Sequence, residues 1–355
     1  MRKLIFFLFS SVVIFFSCEF DQERKILTIS PKVTTDYLNY DSDDPAIWVH
    51  PTDPSKSLVL GTDKDTDGAL YVFDLQGRVD SVRTFRGIKR PNNVDIEYGL
   101  QMDSTTSTDI AVVTEREREG IRIFSLPDMQ PIDGGGLSTF KGEPKGDFTA
   151  TMGIALYKRP GTGEIHAIVG RKGGPTDSTY LWQYRLVPDS TGQITLQLLR
   201  KFGAFSGKAE IEAIAVDDAL GYIYYSDEGV GVRKYYADPA KGNDELALFG
   251  EGTFKEDNEG IAILAKANQE GFIIVSNQQD QSFNVFPRKG PASNPHQHDL
   301  LGIIPMSTEE TDGCEVSGVN FGPSFPNGLF VAMSTDRTFQ FYDLADLQLD
   351  SLAVN

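Results

Sequence analysis

The chain has 355 residues, including 34 glycines, 23 phenylalanines and 13 tyrosines. That length supports a large core, in one all-β domain or in two smaller domains. The formal net charge is -18 at pH 7, which argues against a nucleic-acid partner, because binding to a phosphate backbone needs a basic surface.

The N-terminal segment is predicted to direct export. Two basic residues precede an apolar run over 4–16, which is too short to span a bilayer but is typical of a signal-peptide core. Cys18 follows almost at once, and a cysteine at this place resembles the lipobox of bacterial lipoproteins. We therefore predict a signal peptide at 1–17, a lipidated Cys18 that anchors the protein at the periplasmic face or the cell surface, and a polar tether over 18–35. The alternative is an ordinary cleavage site with an incidental cysteine, which would give a secreted protein.

The first notable feature after the tether is a cluster of carboxylates. Asp41, Asp43 and Asp44 stand immediately before the apolar segment 45–48. Like charges this close repel each other, and a hard cation such as calcium relieves the repulsion by taking several oxygen ligands. A polar turn before a strand would explain this cluster alone equally well, but the arrangement recurs further along the chain.

Six segments of the chain share one pattern, which consists of two apolar strands, a polar loop and a third strand with aromatic residues. The first strands of these segments begin near residues 44, 94, 152, 212, 259 and 316. The strands are short, β-branched or aromatic, and are bounded by Gly, Pro, Asp and Asn. Repeats of this kind are typical of propeller blades. We predict an all-β, six-bladed β-propeller over 36–355, with a pair of β-sandwiches as the alternative.

Blade geometry predicts which loops meet. Neighbouring strands of a blade are antiparallel, so the start of the first strand and the loop between the second and third strands lie at the same end of the propeller. Acidic residues reach this end mostly from blades 1, 4, 5 and 6, whereas basic residues reach it mostly from blades 1, 2 and 3. The acidic and amide candidates are Asp43, Asp44, Glu212, Glu228, Asp257, Glu259, Gln278, Asp312 and Glu315, and the basic ones are Lys64, Arg116, Arg118, Arg171 and Lys172.

The converging groups favour one kind of chemistry. Several carboxylates in one mouth would raise each other's pKa values unless metal ions neutralised them. Oxygen donors without clustered Cys or His suit several calcium ions better than zinc. Two neighbouring ions can hold a phosphoryl group and lower the pKa of a water, and Lys64, Arg116 and Lys172 can bind phosphate oxygens. The pattern therefore predicts phosphoester hydrolysis without a covalent intermediate.

Two segments resemble signature motifs of a known family. Asp-Asp-Pro-Ala-Ile-Trp at 43–48 and Asn-Asn-Val-Asp-Ile at 92–96 are similar to the two motifs of the β-propeller phytases. The resemblance extends over all six blades. It implies calcium-dependent hydrolysis of myo-inositol hexakisphosphate (phytate), free or as its calcium complex, and of other inositol phosphates.

The resemblance also implies roles for individual residues. The implied calcium ligands are Asp43, Asp44, the carbonyl groups of Pro45 and Val94, Glu212, Glu228, Asp257, Glu259, Gln278 and, in a looser alignment, Asp312. The implied phosphate-binding residues are Lys64, Arg116 and Lys172. These three bases, together with Asp43, Glu212, Glu228 and Glu259, form the implied catalytic set.

The chain departs from the family pattern at four positions. Asp65 stands where the family often has a second basic residue, Met152 replaces a tyrosine, Gly173 replaces an acidic residue and Glu97 replaces an arginine. The predicted reaction centre is complete, but the neighbouring site for a second phosphate has lost groups. Arg118 or Arg171 is predicted to compensate there, and both are candidate substrate-binding residues.

Two other functions remain open at this point. A calcium-dependent lactonase or esterase would need a histidine base beside the metal and an apolar mouth, whereas this chain places Lys and Arg there. A calcium-stabilised binding propeller without activity would agree with the departures at Asp65 and Met152. For any of these functions we expect a monomer that contacts the membrane only through its lipid.

Overall fold

The computed structural model describes residues 28–352. The predicted signal peptide and Cys18 lie outside these residues, as does most of the predicted tether. Six antiparallel sheets form the blades of a β-propeller, so the predicted fold is confirmed. Each blade carries a fourth, outer strand beyond the three that the repeat predicted.

The strands of the first three blades follow the chain without interruption. Blade 1 contains Ser42–Trp48, Leu58–Asp63, Gly68–Phe73 and Phe85–Ile88. Blade 2 contains Pro91–Gln101, Ser107–Glu115, Gly120–Leu126 and, on its outer edge, Gln130–Pro131 and Leu137–Ser138. Blade 3 contains Thr151–Lys158, Ile165–Arg171, Leu181–Pro188 and Ile194–Phe202.

The last three blades repeat this order, and blade 6 takes its outer strand from the other end of the chain. Blade 4 contains Ile214–Asp217, Tyr222–Asp227, Gly231–Tyr236 and Ala247–Phe249. Blade 5 contains Asn258–Ala265, Gly271–Asn277, Ser282–Pro287 and Gly302–Pro305. Blade 6 contains Cys314–Ser317, Leu329–Ser334, Thr338–Asp343 and Val33–Thr34.

Helical structure is minor among the described residues. The 3-10 helices are Pro54–Lys56, Arg116–Arg118, Pro239–Lys241, Ala267–Gln269, Gln278–Asp280 and Leu344–Leu347, and the α-helix is Leu349–Leu352. None of the helices in residues 28–352 has the length and apolar character needed to cross a membrane.

The hydrophobic core is divided among the six junctions between neighbouring blades. In the second strand of blade 1, Leu58 and Leu60 pack towards blade 2, whereas Val59 packs towards blade 6. Successive side chains of a strand point to opposite faces, so a strand between two blades is apolar on both faces. This explains why the strands read as continuous apolar runs rather than as alternating ones.

The ring of blades is closed by the two ends of the chain. Val33 pairs with Phe341, and Thr34 pairs with Gln340, in the third strand of blade 6. The ammonium group of Lys32 lies 3.3 Å from a carboxylate oxygen of Asp343. Residues 33–34, which sequence analysis placed in the tether, are therefore part of the blade structure.

One backbone hydrogen bond recurs in all six blades. The residue after each second strand, here called the loop position, donates its N–H to a carbonyl of the segment that leads into the same blade, here called the lead-in position. The six bonds run from Lys64 to Asp41, from Arg116 to Arg90, from Lys172 to Ala150, from Glu228 to Glu210, from Gln278 to Asp257 and from Thr335 to Glu309, with N to O distances between 2.7 and 3.2 Å.

A β-bulge recurs at the start of the first strands. The register shifts between Ser42 and Pro45 in blade 1, and it shifts at the equivalent place in blades 2, 3 and 5. Bulges turn side chains out of the regular alternation and are common beside functional sites. We call the residue two before the first regularly paired one the bulge position. The six bulge positions are Asp43, Asn92, Met152, Glu212, Glu259 and Asp312.

Glycines allow the blades to approach each other at these bulges. Gly153, Gly260 and Gly313 directly follow three of the bulge positions, and a Cβ atom on any of them would collide with the next blade. A Cβ on Gly153 would overlap the carbonyl oxygen of Glu212 and would lie 2.9 Å from Cγ1 of Ile214. The position of Glu212 therefore depends on the missing side chain of Gly153.

We expect Gly153→Ala to lower the unfolding free energy by about 1–3 kcal/mol, the usual cost of overpacking, because the new methyl group must displace Glu212. Denaturant unfolding monitored by tryptophan fluorescence would measure the loss. Gly170→Ala in the same blade is the control, because its Cβ would meet nothing closer than 3.4 Å. Equal stability of the two variants would contradict the prediction.

Candidate metal and phosphate site

Carboxylates from three blades meet at the mouth of the central channel. Asp43, Glu212 and Asp312 occupy bulge positions of blades 1, 4 and 6, and each offers one oxygen within 4.8 Å of the others. Because every bulge position has the same place in its blade, residues far apart in sequence converge here. The predicted convergence of the acidic residues is thus observed for these three.

Lys64 lies within this carboxylate cluster. Its ammonium nitrogen is 2.5 Å from Oδ1 of Asp43 and 3.2 Å from Oδ2 of Asp312. The three carboxylates Asp43, Glu212 and Asp312 together raise the pKa of Lys64 and outweigh the opposing effect of its burial. The lysine therefore stays charged, and among residues 28–352 it is the nearest counter-charge to the cluster.

Several buried carboxylate oxygens at the mouth have no hydrogen-bond partner among the described residues 28–352. These atoms are Oδ2 of Asp43, Oε1 of Glu228 and Oε2 of Glu259. A buried carboxylate oxygen without a donor is costly. A hard divalent cation would satisfy such oxygens, since it binds several carboxylate oxygens at once. The donor set therefore fits a metal site.

Burial is the main influence on the protonation of these groups. It raises the pKa of Glu228 to about 8, and the neighbouring carboxylates Glu212, Glu210 and Asp257 act in the same direction. Burial also raises the pKa values of Asp43 and Glu259 well above their ordinary range. Protons and metal ions would therefore compete for the same oxygens.

Asp257 and Gln278 belong to a hydrogen-bonded chain on the blade 5 side. Nε2 of Gln278 donates to Oδ1 of Asp312 at 2.6 Å, and its Oε1 accepts from Gln279 at 2.7 Å. Gln279 also donates to Oδ2 of Asp257 at 2.7 Å. This chain connects two predicted ligands, Asp257 and Gln278, to the carboxylate cluster through Asp312.

Deeper in the channel than the carboxylate cluster lie Asp44, Pro45 and Val94. Oδ2 of Asp44 accepts a hydrogen bond from the backbone N–H of Val94 at 3.0 Å. All three residues line a channel cavity of about 100 Å³, to which all six first strands contribute. Between blades 1 and 2 the wall of this cavity contains the residues whose ligation the resemblance implies. These are the carboxylate of Asp44 and the carbonyl groups of Pro45 and Val94.

Two further carboxylates line this cavity. Asp95 accepts hydrogen bonds from the backbone N–H groups of Ile96 and Leu156, at 2.6 and 2.7 Å. Burial raises the pKa of Glu315 to about 7. Glu315 was among the converging acidic residues, whereas Asp95 was read only as part of a motif. Asp95 directly follows Val94, the first regularly paired residue of blade 2, and this position could have identified Asp95 as a site residue.

The basic half of the mouth comes from blades 2 and 3. The guanidinium group of Arg116 contacts Asn92 and lies 3.5 Å from Oε1 of Glu212, so it borders the carboxylate cluster. Lys172 lies 3.3 Å from Glu210 and is 40% exposed. Arg118 is 55% exposed and lies 3.5 Å from Glu115. Arg116 and Lys172 line one cavity at the mouth and can meet an anion there, whereas Arg118 is not among the residues that line it.

The prediction that Arg171 binds substrate is wrong in this structure. Its side chain is fully buried, donates to the carbonyl oxygens of Tyr180 and Phe148 and lies 3.3 Å from Glu143. Arg171 is the last residue of a second strand, and Lys172 occupies the loop position that follows it. A guanidinium group held within blade 3 by these contacts cannot reach a ligand at the mouth.

The four departures from the family pattern have different surroundings. Met152 is buried at the bulge position of blade 3. Gly173 leaves room for Asp147, whose Cβ lies 3.1 Å from where a Cβ on Gly173 would be. The side chain of Asp65 accepts a hydrogen bond from the N–H of Asp67 at 2.9 Å, and Glu97 accepts one from Tyr98 at 2.7 Å.

The comparisons with known proteins agree on family and fold. The family model described as "Phytase" matches residues 3–340. The 3-phytase of Bacillus subtilis (strain 168) is 29% identical over 305 residues, which cover 83% of this chain and 75% of the relative. A solved structure of a luciferin-regenerating enzyme superposes with a TM-score of 0.54 at 13% identity, covering 88% of this chain and 94% of that chain.

These matches define the class of the protein. The luciferin-regenerating enzyme shares the fold alone, because its sequence identity is low. The family model, in contrast, covers nearly the whole chain, and the chain therefore belongs to the phytase family. The predicted resemblance and the prediction of a hydrolase of the 3-phytase type are both confirmed.

We expect the metal-free protein to become less stable as the pH rises from about 5 to about 8. The pKa of Glu228 goes from 4.5 in the unfolded chain to about 8 in the folded protein. In this window the folded protein holds a proton that the unfolded chain has released, so a rise in pH favours unfolding, by at most about 1.4 kcal/mol per pH unit for one group.

Denaturant unfolding in the presence of a chelator, at several pH values in this window, would measure the slope. Glu228→Gln cannot ionise, so its slope should be shallower than that of the wild type. Identical slopes would show that the proton is not held at Glu228. A saturating divalent cation should remove the loss of stability, because it replaces the proton at these oxygens.

Proposed function

We propose that this protein hydrolyses phosphate monoesters of phytate and of other inositol phosphates with the help of several calcium ions. The observation that carries the proposal is the cluster of Asp43, Glu212 and Asp312, with unpartnered buried oxygens beside it and a basic half-rim next to it. The 3-phytase relative supports the substrate class.

The charge distribution at the mouth suits a ligand with several phosphates. Arg116 and Lys172 stand on one half of the rim, and the carboxylates stand on the other half. A polyanion could place one phosphate over cations held by the carboxylates while its other phosphates face the basic residues. Arg116 offers a planar fork that can bind two phosphate oxygens, whereas Lys172 acts as a point charge.

Calcium is the ion that the donor set suits best. The ligands offered are carboxylate, amide and carbonyl oxygens, from Asp43, Asp44, Glu212, Glu228, Asp257, Glu259, Gln278 and Asp312 and from the carbonyl groups of Pro45 and Val94. Oxygen ligands without Cys or His favour calcium over zinc. Bound ions would supply charge neutralisation at the phosphoryl group and would lower the pKa of a nearby water.

The residues of the chain contribute binding and electrostatic stabilisation. A cation bound by Asp43 and Asp312 would compete with the ammonium group of Lys64 for the same oxygens. Lys64 would then be available to a phosphate oxygen, together with Arg116 and Lys172. Positive groups placed in advance around a phosphoryl group stabilise the charge that develops there in the transition state.

The two alternative functions receive less support from the structure. A lactonase would need a histidine at the metal, but the four histidines contact other groups: His50 bonds to Asp53, His166 to Gln183 and His298 to Lys234, and His296 packs on Tyr222. A binding propeller without activity would not need Lys64, Arg116 and Lys172 beside the cluster. Measured activity separates the two from a phytase.

We expect Asp43→Asn and Glu212→Gln each to lower phosphate release from phytate by at least about 100-fold, because each removes a charged ligand from the cluster. The assay measures inorganic phosphate in the presence of calcium. Glu256→Gln is the matched control, since Glu256 is exposed and lies beside the predicted ligand Asp257. A wild type whose phosphate release is unchanged after the calcium is chelated, or an Asp43→Asn variant with full activity, would contradict the proposal.

We also propose that the protein is exported and is anchored through a lipid on Cys18. The supporting observation is the short apolar run with basic residues before it and Cys18 directly after it. In a bacterial host, the wild type should incorporate labelled palmitate and sediment with membranes, whereas Cys18→Ala should do neither. Label incorporation by Cys18→Ala would contradict the assignment.

A further inference from the structure

We propose that Arg90 is a substrate-binding residue that contacts a second phosphate of the substrate, one that is not being cleaved. This inference rests on the proposed function and assigns a role to a residue that the family motifs do not include. It comes from the place of Arg90 in the repeat, from its backbone and from the cavity that it lines.

Arg90 occupies a lead-in position. The equivalent residues in the other blades are Asp41, Ala150, Glu210, Asp257 and Glu309. Asp257 is bound into the hydrogen-bonded chain at the carboxylate cluster, and Glu210 lies 3.3 Å from Lys172 at the mouth. The lead-in positions therefore face the functional end of the propeller, and blade 2 is the blade that places a base there.

The backbone of Arg90 is held in an unusual conformation between two functional loops. Its φ angle is 57°, in the left-handed region that non-glycine residues seldom adopt. Its N–H donates to the carbonyl oxygen of Asp65 at 2.9 Å, and its own carbonyl accepts from Arg116 at 3.1 Å. Arg90 therefore lies between the loop that carries Lys64 and the loop that carries Arg116.

The side chain of Arg90 lines a cavity of about 350 Å³ that it shares with Arg116 and Lys172. Within residues 28–352 no protein group forms a hydrogen bond or an ion pair with the guanidinium group of Arg90, which is half-buried and whose charge acts on the carboxylate of Asp41 nearby. Three cations from two blades thus face one space beside the carboxylate cluster, and one of them is free to bind an anion.

The cavity also contains carboxylates, and two of these already have partners. Glu117 accepts a hydrogen bond from the hydroxyl of Thr66 at 2.6 Å. Glu119 is bound to Lys145 and accepts from the hydroxyl of Thr149 at 2.9 Å. The third, Asp147, lies on the side of Gly173. Because Glu117 and Glu119 are engaged elsewhere, Arg90 is available to a phosphate, whereas Arg116 and Lys172 would exchange their contacts with Glu212 and Glu210 for one.

This assignment explains how the chain can function with Asp65 and without a contribution from Arg171. Arg118 or Arg171 was predicted to compensate for the missing groups, but Arg171 is buried and Arg118 does not line this cavity. Arg90 is bonded through its backbone to Asp65 itself, so it brings a positive charge to the place where the loop of blade 1 lacks one. It would therefore favour substrates that carry more than one phosphate.

The test compares Arg90→Asn with the wild type and with Lys89→Asn. Asparagine tolerates the left-handed conformation and has no charge. Lys89→Asn removes the same charge from the neighbouring residue, which does not line the cavity. The measurements are kcat and KM for phytate, and the inhibition constants of myo-inositol hexakissulfate, which carries several anionic groups, and of inorganic phosphate, which carries one.

We expect Arg90→Asn to raise the KM for phytate and the inhibition constant of the hexakissulfate about tenfold, the usual effect of losing one charge-assisted hydrogen bond. The kcat and the inhibition constant of inorganic phosphate should change less than twofold, and Arg90→Lys should recover part of the affinity. An Arg90→Asn variant that matches Lys89→Asn, or one that loses affinity equally for both inhibitors, would overturn the proposal.

The same variants separate this inference from the proposed function. A wild type that releases no phosphate from phytate would refute the phytase activity but would leave the binding question open to calorimetry. Titration of phytate into the calcium-loaded wild type and into Arg90→Asn then decides the role of Arg90. Weaker binding by Arg90→Asn alone supports the contact, and equal binding by both proteins excludes it.

Discussion

The structure depends on one backbone hydrogen bond that is repeated six times. In every blade the N–H after the second strand binds the carbonyl of the lead-in segment, and this contact places the loop and the start of the first strand side by side. In blades 1, 2, 3 and 5 a bulge in the adjoining first strand turns a side chain towards the channel. Three rings of six equivalent positions result, and most of the candidate site lies on these rings, whereas Asp44, Pro45 and Val94 lie off them. The chemistry is therefore set by which residue each blade carries on a common frame.

Much of this frame could be predicted from the sequence. The apolar strands and their spacing predicted six blades, because a strand between two blades must be apolar on both faces. Antiparallel pairing then predicted the end of the propeller at which Asp43, Glu212 and Asp312 meet. These predictions succeeded because they depend on local patterns and on the count of repeats. The outer strands were missed, because half-exposed segments such as Phe85–Ile88 carry little apolar signal.

Other features could not be predicted, for reasons of geometry. Arg171 and Lys172 are neighbours in sequence, but the strand ends between them, so one is buried and the other reaches solvent. A shift of one residue reverses the direction of a side chain. Arg90 was missed because it belongs to neither a motif nor a loop between second and third strands. The pairing of Val33 with Phe341 joins distant parts of the chain, which short-range patterns do not specify.

The loop positions distribute charge unevenly around the mouth, in the plane of the ring. In chain order the loop positions are Lys, Arg, Lys, Glu, Gln and Thr, so positive charge is collected on one half of the circle. A field of this kind acts on an approaching polyanion before any contact forms. Such a field would favour some orientations of a polyanion at the mouth over others. The preferred orientation would then depend on the order of the blades around the axis as well as on individual contacts.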